Sequence, residues 1–242
     1  MKKKVLIVLF VLLCIPITVL ANNSSYELIA ETTKYYRIET SIENNGKTNS
    51  IAYEISKEEY ENADIVENVK GPGNVETTYK SMTTTITSYG NYYRYKNILS
   101  WKIIPSTRSY DIIGIGFLST VKVHNNTTHF EQYYCYTNGG CNTTTTNYPQ
   151  IFSNGAGTSF ALPSGDLRVL KQTFYFDVEK NTNNTITSQS AYGDYSHATS
   201  SISLFNSTLY SVNSYGGIVL DSSITGYYDS IDEAEATWTG SW

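Results

Sequence analysis

Two short stretches bring acid–base groups close together in the chain. In Tyr192-Gly193-Asp194-Tyr195-Ser196-His197-Ala198, a carboxylate, a hydroxyl and an imidazole fall within four residues. An Asp can orient a His, and the His can take a proton from a Ser, but a triad is defined by geometry rather than by adjacency. In an extended chain Ser196 and His197 point to opposite faces, and no Gly-x-Ser-x-Gly elbow occurs. The second stretch is Arg108-Ser109-Tyr110-Asp111, where a carboxylate opens an apolar run and a charge needs a partner. Paired carboxylates would hydrolyse glycosides, yet no second acid can be placed opposite Asp111 from the sequence, and Arg108 and Asp111 could simply pair structurally. Arg108, Asp111, Asp194 and His197 therefore form the expected polar site, with no residue assigned as catalytic.

Other constellations are weaker. His124 and His129 bracket Asn125-Asn126-Thr127-Thr128, with Glu131 close behind. Zinc needs three or four ligands in defined geometry, and this spacing does not supply them. Asp229, Asp232, Glu233 and Glu235 cluster without the glycine-bearing loop spacing of a calcium site and read as a solvated acidic surface. Gly114-x-Gly116 lacks the third glycine and the following helix of a dinucleotide fingerprint. The expectation is no metal and no cofactor. Aromatic residues offer a different chemistry, because rings on a rigid sheet stack on sugars or pack on protein partners. Tyr93, Tyr95, Trp101, Trp238 and Trp242 are the candidate binding residues on that ground, with core packing as the alternative for each.

The elements that position these residues read as strands. Tyr93, Tyr95, Leu99, Trp101 and Ile103 alternate with Arg94, Lys96, Ser100 and Lys102, a period of two broken once at Asn97-Ile98. Gly90-Asn91 is a two-residue hairpin turn, and the Thr-rich stretch before it places Met82 and Ile86 on one side. The run Ile112-Ile113-Gly114-Ile115-Gly116-Phe117 reads as a central strand, and its glycines suggest a bulge or a close backbone approach. Leu170, Phe174, Phe176 and Val178 alternate with polar residues up to Lys180. Extended segments are also expected at 31–42, 48–55, 128–136 and 143–152, with Asn44-Asn45-Gly46 turning between the first two. Ser56 and Glu59 form a capping box, which predicts a helix over 57–68 ended by Gly71-Pro72-Gly73. The tail could begin helical at Asp232-Glu233-Ala234-Glu235-Ala236 and then extend. The expected fold is all-β, an antiparallel β-sandwich, jelly-roll-like or related, with one short helix near 57–68. The expected organisation is a signal peptide at 1–21, N-terminal strands and a short helix at 22–70, and the main β-sandwich at 71–242.

Lys2-Lys3-Lys4, an apolar run from Val5 to Leu20 and Ala21 before polar Asn22-Asn23 make a secretory signal peptide, with cleavage expected after Ala21. The run is short for a spanning helix and contains Pro16, and Cys14 would leave with it. Cys135 and Cys141 remain, flanking Tyr136-Thr137-Asn138-Gly139-Gly140; a local disulfide is expected, with free thiols as the alternative. Losing three lysines takes the net charge from −5 to about −8. A sparse acidic surface argues against nucleic acid and against tight adhesion to anionic lipid. Asn-x-Ser/Thr sequons occur at Asn22, Asn23, Asn125, Asn126, Asn142, Asn183 and Asn206, and matter only if the source glycosylates.

Tyr79-Lys80-Ser81-Met82-Thr83-Thr84-Thr85-Ile86, Leu99-Ser100-Trp101-Lys102 and Arg108-Ser109-Tyr110-Asp111-Ile112-Ile113-Gly114 resemble uncharacterised secreted β-rich proteins of Gram-positive bacteria. The resemblance covers mainly residues 76–200. It implies a bacterial exported protein and carries no activity or site residues. The leading functional expectation is a non-enzymatic extracellular or cell-surface binding or structural module, with a surface glycan or protein as partner. A secreted hydrolase acting on glycans or cell wall is one alternative. A β-pore-forming protein is another, since residues 76–104 are long enough for two membrane strands, although Met82 and Ile86 give the first strand a poor lipid face.

Overall fold

A computed structural model of the chain describes residues 26–42, 48–63, 75–146, 149–202, 209–215, 217–229 and 232–242. The signal segment with Cys14, the sequons at Asn22, Asn23 and Asn206, the Asn44-Asn45-Gly46 turn and the Gly71-Pro72-Gly73 stop lie outside these residues.

Alternation in the sequence becomes strand almost throughout. The first half of the chain contains β1 (Glu27–Ile42), β2 (Thr48–Ile55), helix α1 (Lys57–Asn62), β3 (Val75–Ser88), β4 (Tyr93–Ile103), β5 (Tyr110–Phe117) and β6 (Val121–Val123). The second half contains β7 (His129–Tyr136), β8 (Cys141–Thr146), β9 (Gln150–Phe152), β10 (Gly155–Ala161), β11 (Leu167–Lys180), β12 (Ser188–Ser196), β13 (Tyr210–Val212), β14 (Ile218–Leu220) and β15 (Asp232–Thr239). Every strand pairing is antiparallel. One sheet runs β2-β1-β3-β4-β11-β7-β8, with β6 also on β11; the facing sheet runs β15-β12-β5-β10-β9. The two form an antiparallel β-sandwich around one main core, and the hairpin β13–β14 packs as a third layer on the outer face of the smaller sheet.

The inner faces follow the expected parity, with one instructive difference. The β3–β4 hairpin turns at Gly90-Asn91, where Gly90 has φ 83° and Tyr89 N–H donates to the Tyr92 carbonyl. Along β4 the alternation never breaks: Tyr93, Tyr95, Asn97, Leu99 and Trp101 are all buried. Asn97 holds an inward position because its Nδ2 donates across the core to the carbonyls of Gly114 at 3.3 Å and Asp194 at 3.1 Å. These two bonds from Nδ2 tie one sheet to the backbone of the other, while Oδ1 has no hydrogen-bond partner among the described residues. Opposite it, Gly193 permits this approach: a Cβ there would stand 2.1 Å from Thr84 Oγ1 and 2.8 Å from Asn97 Cγ. The close approach expected at Gly114 is also present, to Val212 of the third layer.

Two expectations change. The helix caps on Ser56 Oγ, which accepts from the Glu59 N–H at 3.0 Å, but Ala63 is extended, so the helix stops at Asn62. It buries no side chain, and so short an element gains little without packing. Residues 64–68 lie outside the described residues. β1 pairs with β3 from Glu27↔Ser88 to Ser41↔Val75 and so extends the larger sheet. The tail is strand rather than helix from Asp232 onward: Asp232, Ala234 and Ala236 are buried while Glu235 is exposed. A period of two against β12 outweighs the local helix propensity of Glu and Ala.

Candidate functional site: a sealed charge cluster between the sheets

The inward parity of β3 that buries Met82 and Ile86 also buries Lys80, which is 0% exposed. β3 lies between β1 and β4, so the lysine has no route to water along its stem. An isolated buried ammonium is prohibitively costly, and two carboxylates of the C-terminal segment meet it. Lys80 Nζ is 3.2 Å from Asp229 Oδ2 and in contact with Asp232 Oδ2. The same nitrogen lies 5.1 Å from the centre of the Trp101 ring and 4.6 Å from that of Tyr195, an aromatic cage that attracts a cation. β15 presents Asp232 inward on the register of Ala234 and Ala236, and Tyr36 of β1 holds that strand by donating its hydroxyl to the Glu233 carbonyl at 2.6 Å.

A second group adjoins the first. Asp111, at the start of β5, is fully buried. Its Oδ1 accepts the Ala198 N–H at 2.9 Å, its Oδ2 accepts the Tyr195 hydroxyl, and both oxygens lie 3.0 Å from His197 Nδ1. Trp101 covers the imidazole with ring centres 5.4 Å apart. The two groups join through Asp229, whose Oδ1 accepts the His197 N–H at 2.7 Å. Three carboxylates thus face one lysine and one histidine in a dry interior.

This charge balance moves the ionisable groups. Burial would lower Lys80, but Asp229 and Asp232 outweigh it and hold the ammonium above its ordinary range. Burial pushes Asp229 up against the opposing pull of Lys80 and His197. Burial also pushes Asp232 up, to about 7, with Lys80 opposing and Asp229 adding to the rise. A carboxyl raised this far binds a proton more readily than an exposed one, and a proton there would relieve the surplus of negative charge. Burial, then Asp111, pushes the Tyr195 hydroxyl well up, so it remains a donor.

The expected polar site is only partly assembled. Asp111 and His197 meet directly. Asp194 does not join them: three residues before His197, it lies on the outer face of the strand, where Oδ2 accepts the Gly217 N–H. Strand parity sends side chains an odd number of residues apart to opposite faces, and Asp111 takes the partner's place. Burial raises Asp194 well above the ordinary carboxylate range, against the Gly217 hydrogen bond. Arg108 is half-buried and forms no ion pair with Asp111; its Nε and Nη1 have no hydrogen-bond partner among the described residues, and burial lowers its guanidinium.

The candidate aromatic residues are core or core margin. Tyr95 and Trp101 are enclosed between the sheets, and Tyr95 donates its hydroxyl to Gln189 Oε1 at 2.6 Å. Tyr93 is buried against half-buried Trp238 and Trp242, with ring centres 5.5 and 4.5 Å away. Covered rings cannot stack on a ligand, so Tyr95 and Trp101 serve packing. His124 Nδ1 pairs with Glu179 at 3.2 Å, and His129 lies against Tyr175. Among the described residues no three His, Cys, Asp or Glu side chains are grouped as metal ligands. Cys135 and Cys141 face each other across β7–β8 and form a disulfide, with Cα atoms 4.0 Å apart. Among the described residues no helix is long and apolar enough to cross a membrane.

Sequence reasoning missed Lys80 and misread Asp229 and Asp232 as solvated. Parity carried the signal for two of them: Lys80 is in phase with Met82 and Ile86, and Asp232 with Ala234 and Ala236. Asp229 sits in an irregular segment with no such phase. No protein-family model matches the chain, and no curated protein matches it in sequence.

Proposed function

We propose that this chain is an exported structural module, a rigid β-sandwich unit working outside the cell. One observation carries the reading: Lys80, Asp111, His197, Asp229 and Asp232, the residues best suited to acid–base chemistry, converge on one another between the sheets at 4% exposure or less. Groups arranged this way act on the protein itself, holding β3, β5, the end of β12 and the C-terminal segment in one register. The N-terminal segment with its Lys2-Lys3-Lys4 start supports export, and the Cys135–Cys141 bridge suits an oxidising compartment.

The hydrolase alternative needs Asp111 and His197 at a surface that substrate reaches. The two readings separate in one experiment. Purified chain and its Asp111→Asn and His197→Ala variants are incubated with peptidoglycan and a polysaccharide panel, and their thermal unfolding is recorded. The expected result is no release of soluble fragments by any of the three and a lower unfolding temperature for both variants. Turnover by the parent that vanishes in variants of unchanged stability would overturn the structural reading.

A second reading, adhesion, has one specific observation in its favour. On the outer face of the larger sheet, Arg94 lies over the rings of Tyr89 at 5.1 Å and Tyr175 at 4.4 Å; Tyr92 stacks on Tyr89, and Tyr26 beside it is 70% exposed. Rings standing half out of a rigid sheet suit sugar stacking. Retention on a glycan array that Tyr89→Ala and Tyr92→Ala abolish would favour this reading.

A further inference from the structure

We propose that the Lys80 side chain and the Asp232 carboxyl condense into an intramolecular amide that ties β3 of one sheet to the C-terminal strand of the other. The inference concerns the Lys80 site alone and does not require the structural-module reading. Three geometric observations lead to it.

The nucleophile and the acceptor are in contact and both are sealed, with side-chain exposures of 0% for Lys80 and 1% for Asp232. The contact is not a hydrogen bond of ordinary shape. Neither Asp232 oxygen accepts a hydrogen bond of ordinary geometry, and Lys80 Nζ meets Oδ2 as a close ion contact. Asp229, in contrast, is held by two partners, the His197 N–H on Oδ1 and Lys80 Nζ on Oδ2. One carboxylate is thus fixed as a neighbour of the amine, and the other is left with its own bonding unmet beside the same amine.

The chemistry balances within these three side chains. Lys80 must lose a proton to become a nucleophile, and Asp232 must carry one to become an electrophile. Asp229 accepts the proton from the ammonium, and the Asp232 carboxyl is in its acid form. The nitrogen lone pair attacks Asp232 Cγ, forming the N–C bond, while the carbonyl π electrons move to oxygen. Asp229 returns its proton to the Cγ hydroxyl, the Cγ–OH bond breaks and water leaves as the carbonyl re-forms. The nitrogen then gives its second proton to Asp229, which ends in its acid form. The ammonium, the Asp232 acid and the Asp229 carboxylate thus become one amide, one water and a protonated Asp229; nothing is oxidised or reduced, and no co-reactant enters. Two titration shifts suit these roles. Burial pushes Asp232 to about 7, which eases its protonation, and burial raises Asp229, making it a stronger base than an exposed carboxylate, against the raised Lys80 ammonium that it must deprotonate.

The surroundings favour the product. The Trp101 and Tyr195 rings exclude water, and a buried ion pair carries a desolvation cost that a neutral amide does not. Pre-orientation by the folded sheets supplies the effective concentration that an ordinary lysine–carboxylate encounter lacks.

Intact mass spectrometry of the purified chain, denatured and reduced, tests the inference against the mass calculated from its measured N-terminus. The expected result is a mass lower by one water, and a tryptic product joining residues 71–94 to residues 181–242, uncut at Lys80. Asp229→Asn, which retains both reactants, is expected to keep the full mass. Asp232→Asn is expected to lose ammonia instead and to arrive at the same final mass as the parent. A parent that unfolds cooperatively yet shows the full mass would overturn the proposal. So would a water loss that maps to an internal imide or to Asp229.

Discussion

Burying a charge is decided one residue at a time, and Lys80 shows what that requires here. Its ammonium is tolerated because two carboxylates and two ring faces replace its water. Removing one member of such a group leaves the others uncompensated, at about 3–5 kcal/mol. Asp111→Asn keeps the shape of the side chain but takes away the negative charge facing His197 and weakens the acceptor for Tyr195 and the Ala198 N–H. It is expected to lower the unfolding temperature by roughly 10 °C in a chain of this size, measured by calorimetry. Asp194 makes the opposite case. Its folded carboxyl is raised by burial above the ordinary value of 3.8, so the folded state holds a proton that the unfolded state has already released. This contribution to stability is full below pH 3.8 and is lost as pH rises through the raised folded value. Asp194→Asn removes the titration. Denaturant unfolding across pH should show the variant gaining on the parent as pH rises; a constant difference would contradict the assignment.

Glycines govern how closely the elements approach. On the outer face of the smaller sheet, a Cβ on Gly155 would stand 2.5 Å from Val212 Cγ1 and 2.8 Å from Val212 Cβ. Gly155→Ala is expected to destabilise by about 1–3 kcal/mol through overpacking. Val212→Ala should relieve part of that cost, so the double variant is expected to be more stable than the sum of the two single losses. A double-mutant cycle by urea unfolding checks this, and strict additivity would place hairpin β13–β14 elsewhere. The glycine-bearing apolar run of β5 was legible as a strand with a close neighbour, but the identity of that neighbour was not. Val212 lies almost a hundred residues further on in a three-residue strand too short to leave a pattern. β15 carries the same lesson in reverse: Glu and Ala favour helix locally, and only the partner strand β12 makes their alternation decisive.

At the scale of the whole molecule, the last strand closes the sandwich. β15 buries Ala234 and Ala236, delivers Asp232 to Lys80 and accepts the Tyr36 hydroxyl from the opposite sheet. Beyond it, Trp242 exchanges backbone hydrogen bonds with Ile186. A chain truncated after residue 231 is expected to lose cooperative thermal unfolding and to be digested rapidly by a nonspecific protease. Retention of a protease-resistant core would mean that the remaining strands suffice.

By itself the sequence determined the class of this protein and the inward side of most of its strands, because a period of two is a local property that each segment states independently. It placed the β3–β4 turn, the Cys135–Cys141 hairpin and the Ser56 cap for the same reason: each depends on residues a few positions apart. It also put Asp111 and His197 forward as groups needing partners. Only the tertiary structure decided who those partners are. Asp111 reaches His197, Lys80 reaches Asp229 and Asp232, and Asn97 reaches the backbone of the opposite sheet across separations that local patterning cannot encode. Whether a charged residue on a strand meets water or another charge depends on which layer covers that strand, and the covering layer is supplied by distant parts of the chain.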